Sequence, residues 1–464
     1  MITFLTLFLG LTTGVHPVEV ALDRAVSRVE LRLDGAVVAA ATEPPWRFEV
    51  DFGERLVPHR LAAVAFDARG RRVADAAQRV NLELSVAGAR LVLERDAAGQ
   101  AVAVRPVVTS ILFDGASGVA VTFDGWPLDV VDPERVALPA HSPDSVHFVA
   151  AELIFPDGST ARADLAFGGV YGEEVSSENT AVAVEVERRR DLRRAGDARG
   201  LLLAGGEPAR PLAVESDGAD LVVVTDDGAR AVLAELAAEL DRPRREARPF
   251  APGSRTTQDR VAIGAGLRRG DRLFFVRPWS EQTTPAGVTH FIFEVGEMTD
   301  REGRGLTWGV THVEWGEPAA AQKLPDATAL AGLHVAALKR PRAVLLVLGT
   351  DLGRTGRHSA RQARELLRAV RVPLFVWYVG EPEPRGGARS APVVAHRARR
   401  AERLAAARTL WGEVEDVVSL ADLVRAAEAL RREVGRQRVV WVDGAWLPRE
   451  VTLAGGVGGV RFVE

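Results

Sequence analysis

The sequence predicts a multidomain chain in which two all-β sandwiches precede a doubly wound α/β domain and a short C-terminal β extension. Three observations predict it. Short alternating strands with Asp-Gly turns fill the region from about Val18 to Gly169. A motif is duplicated within that region. Beyond it, near-continuous apolar runs alternate with segments of helical period, the pattern of strands buried on both faces of a parallel sheet.

The N-terminal run ITFLTLFLGL (Ile2 to Leu11) is apolar and too short to span a bilayer. It is expected to be an export signal within residues 1–15, with Thr12 and Gly14 as small residues before the cleavage point, although no Lys or Arg precedes it. A buried first strand is the alternative. In VELRLDG (Val29 to Gly35), Val29, Leu31 and Leu33 alternate with Glu30 and Arg32 before Asp34-Gly35, a hairpin signal. Similar turns recur at Asp114-Gly115, Asp124-Gly125 and Asp157-Gly158. The stretches HRLAAVAFDARG (His59 to Gly70) and HFVAAELIFPDG (His147 to Gly158) share a His, an Ala-Ala pair, an apolar strand and an acidic turn. The repeat divides the region into two immunoglobulin-like sandwiches, residues 16–85 and 86–170. His59 and His147 are read as structural positions at a strand start, with metal ligation as the alternative.

Residues 171–214 read as a connector with a β-hairpin. Its arginines Arg188, Arg189, Arg190, Arg193 and Arg194 are interrupted by Glu185, Glu187 and Asp191, which favours a solvated hairpin over an anion patch. The α/β domain spans 215–437. DLVVVTD (Asp220 to Asp226), AVLLVLG (Ala343 to Gly349) and VPLFVWYVG (Val372 to Gly380) are its strands. Helical patterns lie at Ala229 to Leu240, Asp326 to Leu338, Ser359 to Val370, with Ser359 as N-cap, and Ser419 to Val434, with Ser419 and Asp422 spaced as a capping box. RVVWVDG and REVTL form the extension at 438–464.

Composition narrows function. The net charge of −4 and pI near 6.2 argue against nucleic acid as a partner. With no cysteine there is no disulfide framework, thiol chemistry or Cys-ligated zinc. No integral membrane segment is expected in the mature chain, and the location expected is extracytoplasmic.

In an open α/β sheet, ligands gather outside the carboxyl ends of the strands, where strand order reverses. Asp226, Asp227, Thr328 and Asp351 would meet there. The segments GLRRGDRLFFV (Gly266 to Val276), DATALAGLHVAAL (Asp326 to Leu338) and Pro341 to Gly380 follow Asp226 in order. Together, from about Asp217 to Gln437, they resemble the von Willebrand factor type A (VWA) domain, in particular bacterial VWA-related proteins with β-rich domains ahead of it. The resemblance implies a Rossmann-like fold and a metal-ion-dependent adhesion site opening with Asp-x-Ser-x-Ser, with Thr328 as its threonine and Asp351 as its later aspartate after a one-residue slip.

The departures lie at the serines. With Asp226 leading, Gly228 and Arg230 stand in their places; with Asp227 leading, Ala229 and Ala231 do. Magnesium requires six oxygens in near-octahedral array, and two hydroxyls are missing. The four residues are therefore read as vestigial metal-site positions, with no catalytic residue and no cofactor. Residual magnesium binding is the alternative, and carboxylate capping of the following helix accounts for Asp226 or Asp227 without metal.

Thr-Asp-Asp-Gly also resembles the turn of haloacid-dehalogenase-type phosphatases, but Thr225 stands where their nucleophilic aspartate belongs. The two GVTH copies would place His290 and His312 at the starts of extended segments, without a third zinc ligand. The expected function is a non-catalytic, exported interaction or assembly module with an unknown protein partner, and Trp279 contributes to its loop surface. The rivals are a divalent-metal-dependent hydrolase at the same strand edge and a purely structural envelope protein.

Overall fold

The structure is a computed structural model. It describes the chain except residues 1, 7, 9, 23–24, 83–86, 111–114, 157–159, 170–178, 188–191, 217, 242–265, 269, 277, 279–281, 284–288, 291, 294–304, 314–321, 351, 354–355, 381–390, 457 and 464. Asp351, Trp279, Asp114, Asp157-Gly158 and Arg188 to Asp191 therefore lie outside the described residues. The architecture is multidomain, with β-sandwiches and one mainly parallel α/β sheet.

The first sandwich packs a three-stranded sheet (Ile2–Phe4, Val15–Leu22, Arg47–Asp51) on a four-stranded one (Ala36–Ala41, Arg28–Leu33, His59–Phe66, Arg72–Val80). Val18, Val20 and Phe48 from one sheet share a core with Val29, Leu31 and Leu61 from the other. Ile2–Phe4, within the segment expected as an export signal, contributes a strand to this sandwich. Ile2–Phe4 pairs antiparallel with Val15–Leu22, and Ile2 and Phe4 are buried. The reason is the period of two, with Ile2 and Phe4 facing inward and Thr3 outward.

The second sandwich repeats the plan with a three-stranded sheet and a four-stranded sheet, the latter ordered Trp126–Pro127, Gly118–Phe123, His147–Ile154, Thr160–Phe167. The duplicated motif has a physical basis. Asp34 and Asp124 both occupy the left-handed region at the hairpin turn (φ 53° and 50°). From there Asp34 Oδ2 lies 2.7 Å from His59 Nδ1, and Asp124 Oδ2 lies 2.8 Å from His147 Nδ1. The other oxygen of each accepts the N–H of the next residue, Arg60 at 2.9 Å and Phe148 at 2.8 Å. Each Asp-Gly turn thus clamps the start of a later strand, the one that pairs beside the strand leading into the turn.

Residues expected as a connector and a terminal extension form one β unit. Asn179–Val186 pairs with Gln437–Asp443 on one side and Val460–Phe462 on the other, and Pro211–Glu215 adds to the far edge. Leu202–Ala204 pairs with Val451–Leu453 in a second sheet. Val182, Val184, Val440 and Val442 share its core, so the α/β domain is inserted between its halves. Arg193 and Arg194 do not form a hairpin arm; their N–H groups donate to the Asp197 carboxylate ahead of a 3-10 turn.

The α/β domain contains β1 (Asp220–Thr225), α1 (Arg230–Asp241), β2 (Arg272–Val276), β3 (Ile292–Phe293), α2 (Leu306–His312), α3 (Leu324–Ala337), β4 (Arg342–Leu348), α4 (Ala360–Ala369), β5 (Leu374–Val379), α5 (Ala391–Trp411), β6 (Glu415–Val417) and α6 (Leu420–Val434). The sheet order is β3-β2-β1-β4-β5-β6, parallel except for β3. The apolar runs are explained by two cores. Val222 and Val224 face α3, α4 and α5, whereas Leu221 and Val223 face α1, α2 and α6. Ser359 and Gln362 exchange capping bonds at α4, and Ser419 caps α6. The second GVTH copy is corrected: it ends α2, and His312 Nε2 lies 3.0 Å from Asp241 Oδ2. Gly309 and Val310 pack into the helical interface, where a strand was expected. Among the described residues, no helix is long and apolar enough to cross a membrane.

Candidate functional site at the sheet switch point

The chain leaves β1 for α1 on one face of the sheet and leaves β4 for α4 on the other. The crevice between the carboxyl ends of β1 and β4 is thus the switch point at which ligands bind in such sheets. Here the crevice is filled by main chain. Asp226 is completely buried, and its Oδ1 accepts from Gly228 N at 3.0 Å while Oδ2 accepts from Gly349 N at 2.8 Å. Its own N–H donates to Val347 O at 2.8 Å.

The two glycines are required by close approach. A Cβ on Gly228 would stand 2.6 Å from Thr350 N and collide with the Thr350 hydroxyl. A Cβ on Gly349 would meet Gly228 O at 2.6 Å. Position 228, where the resemblance with Asp226 leading would put its first serine, therefore has no room for a side chain.

Of the other expected positions, Asp227 and Thr328 are engaged elsewhere and Asp351 lies outside the described residues. The Asp227 side chain pairs with Arg230 (Oδ1 to Nη1, 2.8 Å), while its N–H donates to Gln322 Oε1 at 2.9 Å. Thr328 is buried in α3 and donates its hydroxyl to Leu324 O at 2.7 Å, one turn back in its own helix. Among the described residues, the Asp226 carboxylate accepts main-chain N–H groups, the Asp227 carboxylate pairs with the Arg230 guanidinium and the Thr328 hydroxyl donates to a helix carbonyl. Among the described residues no group of three or more Asp, Glu or His side chains is positioned to hold a metal ion. Thr225, at the phosphatase nucleophile position, is also fully buried, with its hydroxyl turned into the protein and unpartnered.

Sequence reasoning missed a second buried constellation at this end of the sheet. Asp326 Oδ2 accepts from Arg357 N at 2.7 Å, and its Oδ1 lies 2.6 Å from His358 Nδ1 and accepts His358 N at 3.2 Å. Both side chains are buried, and the pair fastens the loop after β4 to the first turn of α3. The available signal was an aspartate in a helix first turn, two residues ahead of Thr328.

The opposite end of the sheet carries a buried ionic cluster. Arg272 grips Asp220 with two bonds (Nε to Oδ1 2.7 Å, Nη2 to Oδ2 2.8 Å), Arg340 adds a third at 3.2 Å, and Arg272 also reaches Glu152 of the second sandwich. Burial alone would raise the Asp220 carboxyl, but Arg272 and Arg340 outweigh it and hold it below its ordinary value. His334 beside it is pushed down to about 4, first by burial. Its ring meets Phe274 edge-on at 5.2 Å, and Nε2 has no partner.

No family model and no curated protein matches the chain. Solved structures that match include fibronectin(III)-like modules of Clostridium thermocellum CbhA (16% identity, 17% of this chain and 93% of that one, TM-score 0.16). The central fibronectin-III array of RIM-binding protein matches at 10% identity over 42% of this chain and 80% of that one, with TM-score 0.20. A β-glucuronidase from Parabacteroides merdae matches at 14% identity and TM-score 0.18, over 36% of this chain and 24% of the enzyme. The chain thus spans about a quarter of that enzyme. Two of these neighbours are fibronectin-III modules by their descriptions, and likeness at this level carries no inference about activity.

Proposed function

We propose that the α/β domain is a VWA-like, non-catalytic interaction module in which the aspartate at the adhesion-site position works as a structural latch. One observation carries this reading: Asp226 spends its carboxylate on Gly228 and Gly349, and the Gly228 backbone lies against Thr350. The order of elements supports the same reading, since Asp226 ends β1 and Thr328 lies in the helix that precedes β4. Recognition would then rest on the shape and side chains of the loops at the carboxyl edge, with a protein as partner and no metal bridge.

The test is a thermal melt of the purified chain with magnesium, manganese or chelator. Ligand binding to the folded form must raise Tm, so the expected result is the same Tm in all three. A rise at millimolar metal would overturn the reading. For the partner surface, Arg357→Glu at this edge is expected to reduce recovery of the native partner without lowering Tm.

An extracytoplasmic location belongs to the same proposal and makes a concrete demand. Cleavage near Gly14 would remove Ile2 and Phe4 from the core of the first sandwich. The intact mass of the mature protein decides it.

A further inference from the structure

We propose that the junction of the first sandwich, the inserted-into β unit and the α/β domain is a binding site for a small oxyanion such as phosphate or sulfate. A cavity of about 60 Å³ lies there. That is room for roughly four water-sized groups, the size of one tetrahedral oxyanion and much less than a nucleotide. Four cationic side chains line it: Arg79 from the first sandwich, Lys339 after α3, Arg342 at the start of β4 and Arg371 after α4. Among the described residues no carboxylate lines it; Asn179 and Thr180 also line it, with the Asn179 amide donating to Asp164 and the Thr180 hydroxyl donating to Gly444 O.

Two of these cations are held by main chain rather than by counter-charge. Arg342 donates to the carbonyl oxygens of Arg371 (3.3 Å), Ala336 (3.3 Å) and Val370 (3.1 Å). Arg371 donates through Nη2 to Pro448 O and Val451 O, and its guanidinium lies 3.5 Å from the Phe462 ring centroid. Carbonyl dipoles fix the direction of a guanidinium but leave its charge in place. Five N–H donors are available on each; Arg342 commits three, and Arg371 commits one of its three nitrogens. The remaining donors can meet a bidentate oxyanion.

Lys339 has an acidic partner, Asp164 at 3.1 Å, which also accepts from Asn179. Beside this pair, Arg342 and Arg371 bring positive charge to the cavity on guanidiniums that donate to main-chain carbonyls. Burial pushes Arg342 down to about 10, and burial together with repulsion from Arg342 pushes Arg371 down to about 9. An anion between them would relieve both, and it would tie together three units of the chain.

The proposal is independent of the interaction-module reading and is tested on the full chain. Phosphate and sulfate are titrated by calorimetry and by thermal melt, against sodium chloride at matched ionic strength. Saturable one-to-one binding and a rising Tm are expected with the oxyanions and not with chloride. Arg371→Gln is expected to weaken binding at least tenfold. Arg79→Gln, which leaves the carbonyl-held guanidiniums in place, is expected to weaken it severalfold and decides the matter should Arg371→Gln fail to fold. No saturable binding by the unaltered chain, or full affinity in Arg79→Gln, would overturn the site.

Discussion

Asp226 and Gly349 lie 123 residues apart and are joined by a 2.8 Å hydrogen bond across the switch point of the sheet. The bond locks the β1 turn to the β4 turn, and Gly228, accepted by the other carboxylate oxygen, completes the latch. Placing a serine at this turn with Gly228→Ser would drive a side chain into Thr350. Destabilisation of about 2–4 kcal/mol is expected, with no gain of magnesium affinity. Urea unfolding with and without magnesium measures both; a stable variant that binds the ion would show that the cradle is only lacking its hydroxyl.

Removing the carboxylate is a separate test of the same latch. Asp226→Ala leaves two N–H groups in a buried place without their acceptor, at about 1–3 kcal/mol for each unsatisfied group. Asp226→Asn keeps one acceptor oxygen and loses less. Equal stability of the two variants in denaturant melts would contradict the two-bond geometry.

The paired clamps Asp34–His59 and Asp124–His147 invite a comparison within one molecule. Burial alone would raise Asp34, but the Arg60 N–H, His59 and the Arg449 guanidinium outweigh it and hold its pKa below 3.8. A depressed carboxylate contributes stability that is present above the unfolded pKa and lost as pH falls through the folded one. Asp34→Asn should therefore destabilise the first sandwich at neutral pH and cost less in strong acid. Denaturant midpoints at pH 7 and below pH 3.8 check the sign.

Much of this fold was legible because its signals are local. Alternation in Val29 to Leu33, the Asp-Gly turns, the Ser359 cap and the apolar runs from Asp220 and Ala343 each need only a few neighbouring residues. The partnership of Asn179–Val186 with Gln437–Asp443 was not legible, since it joins strands about 250 residues apart and neither carries a mark of the other. Ile2–Phe4 carries the same apolarity whether it serves as a leader or a strand, and its pairing with Val20 and Leu22 depends on residues outside the run itself. At the switch point, the missing serines were plain in the sequence. The collision that forbids them was not, because it depends on how closely two turns approach. Asp326 and His358 were overlooked for a related reason: their pairing closes a 32-residue loop that no spacing rule describes.

The ionic cluster beneath the sheet should act as a unit joining the second sandwich to the α/β domain. Asp220 is fully buried against Arg272 and Arg340, so Asp220→Ala leaves Arg340 without its carboxylate and Arg272 with Glu152 alone. A loss of about 3–5 kcal/mol is expected. Glu152→Ala removes only the arm from the sandwich and should cost less. A double-mutant cycle on Glu152 and Arg272 is expected to give a nonadditive coupling, and strict additivity would mean that their contact is energetically silent.

His334 gives that cluster a dependence on pH with a definite sign. Its folded pKa of about 4 lies below its ordinary 6.5, chiefly through burial. Between those values the unfolded chain binds a proton that the folded chain excludes, so stability falls as pH drops from about 6.5 towards 4. The full span corresponds to on the order of 3 kcal/mol. His334→Leu keeps an apolar group against Phe274 and removes the proton, so its stability curve should be flatter across this window. Because Asp220 titrates lower still, the two contributions separate along the pH axis. Urea unfolding of both proteins at intervals from pH 7 to pH 4 reads the difference directly; parallel curves would mean that His334 is not the group being excluded.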